Sequence, residues 1–287
     1  MKRLFAFLLA VMICAVALAA CGNTQNTDSN TQDSQSNSGE VTIEETTVFD
    51  DQGIVAVAKS LGKYENDWMV FDLALVVDVT NNTEKAVSAS VRNLCVNGCV
   101  FDSSIGIEIQ PGETGAVPAL LEDTAMNNYG ITTIADLEFS VEIEDADSYQ
   151  TLIESDPVSI KTSAYEGFDY KYDESGTVLY DADGVKIIAK DGLIEDEFLG
   201  PYINLYVVNQ TDKNIDVSVV ESAVNGAKMD MSVGSYTPAG KRSINILSID
   251  SEDRPEKIES FTLAFSIYDW ETGDVIVEKT EPVTLEF

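Results

Sequence analysis

The clearest pattern in this sequence is an alternation of apolar and polar residues with a period of two. From position 69 to 79 every second residue is apolar, which predicts one face of a β-strand. Ile203, Leu205 and Val207 repeat the pattern in the second half of the chain. The members of the first alternating run are Met69, Phe71, Leu73, Leu75, Val77 and Val79. Further runs at 53–60, 86–93, 137–144 and 156–162 also predict strands, whereas only 120–129 and 251–257 favour short helical turns.

The second half of the sequence repeats the first. Residues 79–85 match residues 207–213, each containing an Asn-x-Thr-x-Lys pattern, and Val96-Asn97-Gly98 matches Val224-Asn225-Gly226. A repeat this long indicates a duplicated domain and not a solenoid of short units. We therefore divide the chain into a first repeat at 45–163, an aromatic linker at 164–173 and a second repeat at 174–287.

Strand number and turn chemistry predict the fold of each repeat. About seven short strands in a domain of this length are typical of an antiparallel sandwich of immunoglobulin type. The Asn-Gly pairs at 97–98 and 225–226 indicate tight hairpins. The predicted fold class is all-β, with two tandem immunoglobulin-like β-sandwiches.

The N-terminus has the composition of an export signal. Lys2 and Arg3 precede an uncharged apolar run that ends at Ala20, and Leu18-Ala19-Ala20-Cys21 resembles the bacterial lipobox. That resemblance implies a lipoprotein signal peptide at 1–20 and a diacylglycerated Cys21, whose acyl chains would anchor the protein in a membrane. Residues 22–39 are almost wholly polar, so residues 21–44 are predicted to form the lipidated cysteine and a disordered tether.

The lipobox, the polar tether and a strand that runs into an Asn-x-Thr-x-Lys turn occur together here. In this combination the chain resembles immunoglobulin-like domains of unknown function in lipoproteins of Gram-positive bacteria. The resemblance rests on residues 79–91 and 207–219 and covers both repeats. It implies a sandwich fold and a place on the extracellular face of the cytoplasmic membrane, and it brings no catalytic residues with it.

Charge and composition exclude several classes of function. The net charge of −33 repels nucleic acid, so no nucleic-acid partner is expected. The sequence contains no histidine, which excludes Ser-His-Asp and Cys-His catalysis and histidine-ligated metals. Asp181-Ala182-Asp183-Gly184 begins like a calcium loop, but Gly192 stands where an EF-hand needs glutamate, so we interpret this segment as a turn. No metal site and no cofactor are predicted.

Two cysteines remain beyond the predicted lipidation site. Cys95 and Cys99 flank the Asn97-Gly98 pair, and their spacing is wrong for a redox Cys-x-x-Cys motif. A two-residue turn would place them on opposite faces of the hairpin, whereas a three-residue loop would place them opposite each other. A structural disulfide and two buried free thiols both remain open. The second repeat has Ala223 and Ala227 at these positions.

Aromatic residues are the remaining candidates for contacts. Tyr202 and Tyr206 alternate with the core positions of their strand and should point away from that core, which favours a domain interface or packing on the other side of a sheet over a binding patch. Trp68 and Trp270 flank predicted core strands. The linker holds four aromatic residues and is expected to pack against one or both repeats: Tyr165, Phe168, Tyr170 and Tyr172.

These observations predict a non-enzymatic, membrane-tethered extracellular binding or scaffold lipoprotein. Its partners would be the membrane, through the lipid anchor, and an unknown protein or cell-surface molecule. The alternatives are a calcium-dependent adhesion module and an accessory lipoprotein of an envelope or transport complex. The sequence does not identify the binding residues.

Overall fold

The fold was analysed in a computed structural model, which describes residues 41–101, 105–196, 200–249 and 254–287. The predicted signal peptide, Cys21 and residues 22–40 lie outside these ranges. The described chain from residue 41 onward belongs to one compact unit. It is nearly all β and sandwich-like, as predicted, with a single short helix among the described residues. None of those residues lies in a helix that is long and apolar enough to span a bilayer.

The first repeat contributes ten strands and one helix. In chain order they are β1 Thr46–Asp51, β2 Ile54–Glu65, β3 Val70–Asn81, β4 Val87–Val96, β5 Cys99–Val100, β6 Ile107–Ile109, β7 Thr114–Leu120, α1 Asp123–Asn128, β8 Asp136–Asp145, β9 Thr151–Glu154 and β10 Val158–Lys161. Strands β1-β2-β3-β7 form one sheet, and β10-β8-β4-β5 lie together in another, in which β6 pairs with β4 and β9 with β8.

The second repeat builds the same pairing from eleven strands. They are β11 Thr177–Ala182, β12 Val185–Asp196, β13 Gly200–Asn209, β14 Ile215–Val224, β15 Ala227–Lys228, β16 Met231–Val233, β17 Tyr236–Thr237, β18 Arg242–Ile249, β19 Ser260–Asp269, β20 Val275–Val277 and β21 Val283–Glu286. Here β11-β12-β13-β18 lie in one sheet and β21, β19, β14 and β15 in another, so each strand order of the first repeat recurs.

The two repeats are joined edge to edge in one eleven-stranded central sheet. Eight of its strands follow in the order β10-β8-β4-β5-β18-β13-β12-β11, and β6, β9 and β16 pair with β4, β8 and β18, so the second sheet of repeat 1 continues into the first sheet of repeat 2. The connection is a parallel bridge between Cys99 and Arg242. Ile187 of β12 belongs to the core of repeat 2, while the adjacent Ile188 packs in the core of repeat 1. Opposite faces of the central sheet therefore serve different cores.

The repeated Asn-x-Thr-x-Lys pattern is a structural turn. The buried Asn81 amide donates to the carbonyls of Lys85 and Ile109, at 2.8 and 3.0 Å, and its oxygen accepts from the backbone N–H of Thr83. Asn209 makes the equivalent bonds to Lys213 and Thr211 in repeat 2. Since these bonds satisfy buried backbone groups, the pattern is explained by folding alone.

One part of the predicted alternation is wrong. Leu73, Leu75 and Val79 face the core of repeat 1, but Met69 and Phe71 pack on the other side of the sheet with Tyr64. The register of β2 against β3 shifts between Gly62 and Tyr64. Such a bulge adds one residue to a strand and moves every later side chain to the opposite face, which period-two counting does not detect.

Two boundaries also differ from expectation. The helix at 123–128 lies inside the predicted helical turn at 120–129, whereas residues 254–257, the described part of the second one, contain no helix. The last residues of the predicted tether are ordered, because Ile43 forms a β-bridge with Thr162 and packs against the core of repeat 1. Val41 packs against the same core, so two apolar residues at the end of the polar stretch attach it.

Candidate functional site

The hairpin between β4 and β5 lies where the two repeats meet. Asn97 and Gly98 form a two-residue turn with φ values of 51° and 76°, and Val96 pairs with Cys99 across it. This register places Cys95 and Cys99 on opposite faces of the hairpin, and both are buried free thiols. Burial raises the pKa of each thiol to about 12, so neither is an active nucleophile near neutral pH. Of the two alternatives, the structure shows free thiols and not a disulfide.

Backbone bonds cross between the repeats beside this turn. The Arg242 N–H donates to the Gly98 carbonyl at 3.0 Å. Two residues further along each strand, the Tyr129 hydroxyl accepts a hydrogen bond from the Ile244 N–H and donates one to the Val100 carbonyl, both at 2.7 Å. The hydroxyl thus continues the ladder between β5 and β18 where the two backbones no longer touch. We refer to these contacts as the joint.

Side chains of the linker and of β18 complete the joint. The Arg242 guanidinium lies 3.4 Å from the centre of the Tyr172 ring, a cation–π contact, and the Tyr172 hydroxyl donates to the Asn97 carbonyl at 3.1 Å. Tyr170 bonds to Asp136 of β8. Lys241 and Glu138 form an ion pair at 2.9 Å between the repeats. The prediction that the aromatic linker packs against the repeats is confirmed.

A cleft of about 460 Å³ opens at this joint. This volume lies within the range of small-molecule sites in proteins. We call it the junction cleft. One wall comes from β4 and β5 of repeat 1, and the other from the loop before β17, from β14 and from the residue after β19. The side chains that give it chemical character are Arg92, Asn93, Asp216, Tyr236, Asn245 and Trp270.

The repeat 2 wall carries two aromatic rings and a carboxylate. Tyr236 lies directly opposite Asp216 in the antiparallel pair of β14 and β17, so their side chains share a face. The Trp270 ring meets the Tyr236 ring edge to face, with centroids 5.1 Å apart, and Trp270 is 58% exposed. Burial raises the pKa of Tyr236, which keeps its hydroxyl neutral. This wall presents π faces beside a negative charge.

The repeat 1 wall and the floor are polar but internally paired. Arg92 forms an ion pair with Glu142 of β8 at 3.1 Å, so its charge is compensated within repeat 1. The Asn93 amide donates to the Ser140 hydroxyl at 3.4 Å. On the floor, the Asn245 amide donates to the hydroxyls of Ser235 and Ser243. Among the described residues that line the cleft, the only acid is Asp216 on the opposite wall.

The aromatic residues singled out in the sequence have different positions. Tyr206 is buried in the core cluster of repeat 1, with its ring 6.2 Å from that of Tyr129, which confirms its predicted role in an interface. Trp68 is 91% exposed at the β2–β3 connection and lines no part of the junction cleft, whereas Trp270 does.

Asp216 and Tyr236 were not predicted. An acid at an outward position of an alternating strand is ordinary, so no sequence signal was there to find it.

The structure shows no concentration of metal ligands within the described ranges. No group of three or more Cys, Asp or Glu residues is arranged there to hold a metal ion. The acidic segments before the second strands of each repeat, at 50–53 and 181–184, form the turns of the β1–β2 and β11–β12 hairpins, which confirms the turn predicted at 181–184.

No protein-family model matches the sequence, and no curated protein matches it. Among solved structures, the chain is similar to the Amycolatopsis orientalis exo-chitosanase CsxA, with 14% identity and a TM-score of 0.24; the alignment covers 79% of this chain and 26% of that chain. It is also similar to the YadV chaperone, with 10% identity, a TM-score of 0.22 and coverage of 75% and 92%, respectively. At such scores neither likeness carries an argument about fold or function.

Proposed function

We propose that this protein is a non-enzymatic lipoprotein, held by Cys21 on the extracellular face of the cytoplasmic membrane, that binds a partner in the junction cleft. The observation that supports binding is the pair formed by the exposed Trp270 ring and the half-buried Tyr236 ring, in a cleft to which both repeats contribute. Aromatic residues that remain exposed in a concave site are the usual anchors of binding surfaces.

The joint supports a scaffold role for the fold around this site. Because the hydrogen bonds of Arg242 and Ile244 connect the repeats, both walls of the cleft are held by backbone and not by a free linker. A preformed cleft does not have to be ordered when its ligand arrives, which favours affinity.

Capture from the native envelope tests the binding function. The full chain would be cross-linked in cells, purified and compared with Trp270→Ala, while Trp68→Ala serves as the matched control because it removes the other exposed tryptophan outside the cleft. We expect Trp270→Ala to lose the captured partner and Trp68→Ala to retain it. Equal capture by both variants would contradict the proposal.

Membrane attachment has its own test. Cys21→Ala should shift the protein from the membrane fraction to soluble or uncleaved forms, because the acyl chains are attached at that thiol. Full processing and membrane attachment in this variant would refute the lipid anchor while leaving the cleft unaffected.

A further inference from the structure

The charge balance of the junction cleft separates its two walls. Within the residues that the structure describes, Asp216 has no ion-pair partner, and its carboxylate accepts a hydrogen bond from the Ser218 hydroxyl at 3.0 Å. On the other wall, the positive charge of Arg92 is compensated by its ion pair with Glu142 of β8. Asp216 is therefore a carboxylate whose charge no ion pair compensates in the described part of the cleft.

The aromatic rings add a second preference for positive charge. The faces of Tyr and Trp rings are electrostatically negative and attract ammonium groups, most strongly when part of the surrounding water is removed. Tyr236 is half-buried and Trp270 is exposed, so the rings leave an accessible face beside Asp216. Glu271 follows Trp270 directly, and its charge contributes to raising the pKa of Tyr236, although burial is the larger cause.

The whole molecule favours the same ligand charge. At a net charge of −33, a cation is drawn toward the protein and an anion is repelled. A neutral ligand that covered Asp216 would remove water from its carboxylate without supplying a compensating charge, which costs free energy. A ligand with a compact positive group and an apolar body complements both the Asp216 carboxylate and the two aromatic rings of this wall.

We infer that the junction cleft is a recognition site for an alkylammonium group, bound between the Trp270 and Tyr236 rings and the Asp216 carboxylate. The inference rests on the proposed binding function and specifies its ligand chemistry. The same group occurs in a lysine side chain of a protein partner and in a small free amine, and these two sources are separated below.

Tryptophan fluorescence provides the readout. The chain has two tryptophans, so in a Trp68→Phe background the emission reports on Trp270 alone. The full chain in non-ionic detergent would be titrated with choline and, at the same ionic strength, with 3,3-dimethyl-1-butanol, which has nearly the same shape without the charge. We expect a saturable change with choline and none with the alcohol.

Two acid variants test the role of the carboxylate. Asp216→Asn keeps the size and the bond from Ser218 but removes the charge, and should weaken choline binding by about fivefold or more. Asp212→Asn is the matched control, because this exposed acid lies on the β13–β14 connection outside the cleft lining; it should leave binding unchanged. Unchanged thermal midpoints would show that both variants fold.

The source of the ammonium group is resolved by comparing an oligolysine peptide with N-acetyl-lysine amide. Binding of the peptide that is tighter by tenfold or more supports a protein partner, whereas equal binding supports a small amine; both outcomes support the inference. Equal responses to choline and the alcohol, an unaffected Asp216→Asn variant, or no response to any ammonium probe would overturn it. If those results coincide with loss of capture in Trp270→Ala, the ligand class is wrong and the binding function stands.

Discussion

The hairpins at Asn97-Gly98 and Asn225-Gly226 have the same turn and very different surroundings. Their φ values agree within a degree, and each Asn oxygen accepts two backbone N–H bonds from the start of the next long strand. Yet Asn97 is 3% exposed inside the joint, whereas Asn225 is exposed. The local sequence determines the geometry of the turn, and what packs against the turn determines its energetic importance.

The comparison also explains why the hairpin of repeat 1 contributes to the junction cleft. In repeat 1 the turn carbonyl of Gly98 accepts a bond from Arg242, and Tyr129 extends the ladder. The equivalent strand of repeat 2, β15, is formed by Ala227 and Lys228, both exposed, and pairs with β14 alone. The junction cleft therefore depends on the joint and not on the turn of the hairpin itself.

The largest expected difference between the hairpins comes from removing their asparagines. Asn97→Ala should lower the free energy of unfolding by about 3–4 kcal/mol, because it leaves buried groups such as the Ala135 N–H without partners. Asn225→Ala should cost about 1–2 kcal/mol, because water reaches the same bonds there. Urea denaturation of both variants measures the difference. Equal losses would mean that burial in the joint has no energetic consequence.

The joint itself is tested by Tyr129→Phe. The change removes a hydroxyl that satisfies the Ile244 N–H and the Val100 carbonyl, so we expect a loss of about 2 kcal/mol in the free energy of unfolding. Tyr180→Phe is the control; its hydroxyl bonds to Asp183 at 2.6 Å in an exposed position, and its loss should cost less than about 0.5 kcal/mol. If the two variants lose the same stability, the hydroxyl does not connect the repeats.

The smallest effect at neutral pH concerns the thiols, whose contribution to stability changes only in alkali. Burial raises the pKa of Cys95 and Cys99 from 9.0 to about 12, so above pH 9 the unfolded chain releases thiol protons that the folded chain keeps. Stability contributed by the neutral thiols is complete below pH 9 and is lost as the pH rises toward 12. Each thiol steepens that decline by up to about 1.4 kcal/mol per pH unit.

A variant with Cys95→Ala and Cys99→Ala isolates this contribution, since alanines occupy the equivalent positions of repeat 2. Its unfolding free energy should decline less steeply between pH 9 and 11 than that of the parent protein. Identical slopes would indicate that the thiols are accessible to water.

Much of the fold could be predicted from local patterns. Alternation predicted the core strands, the two Asn-Gly pairs predicted the hairpins, and the outward position of Tyr206 predicted an interface residue. Each of these depends on interactions between neighbours in sequence or on the repeat. The bulge that places Met69 and Phe71 on the opposite face of the sheet was missed, because the apolar residues keep their spacing of two in the sequence whether or not a bulge lies between them.

The candidate site was less accessible to sequence reasoning. The joint links Gly98 and Val100 to Arg242 and Ile244 through one backbone bond and one tyrosine hydroxyl, and none of these residues has an unusual local setting. Trp270 was recognised as a candidate, but its neighbours in the cleft come from strands far apart in the chain. The pairing of β14 with β17 and β19 forms one wall of the cleft, and the contact of β5 with β18 in the central sheet brings the other wall beside it.

Amide hydrogen exchange at Arg242 and Ile244 tests the central claim most directly, because these two N–H groups donate across the joint. We predict that both exchange only through large opening of the structure, with protection close to that of the core strand β13, and that Tyr129→Phe reduces the protection of Ile244 first. Rapid exchange of both amides in a folded protein would show that the repeats separate freely, and the cleft would then not be a preformed site.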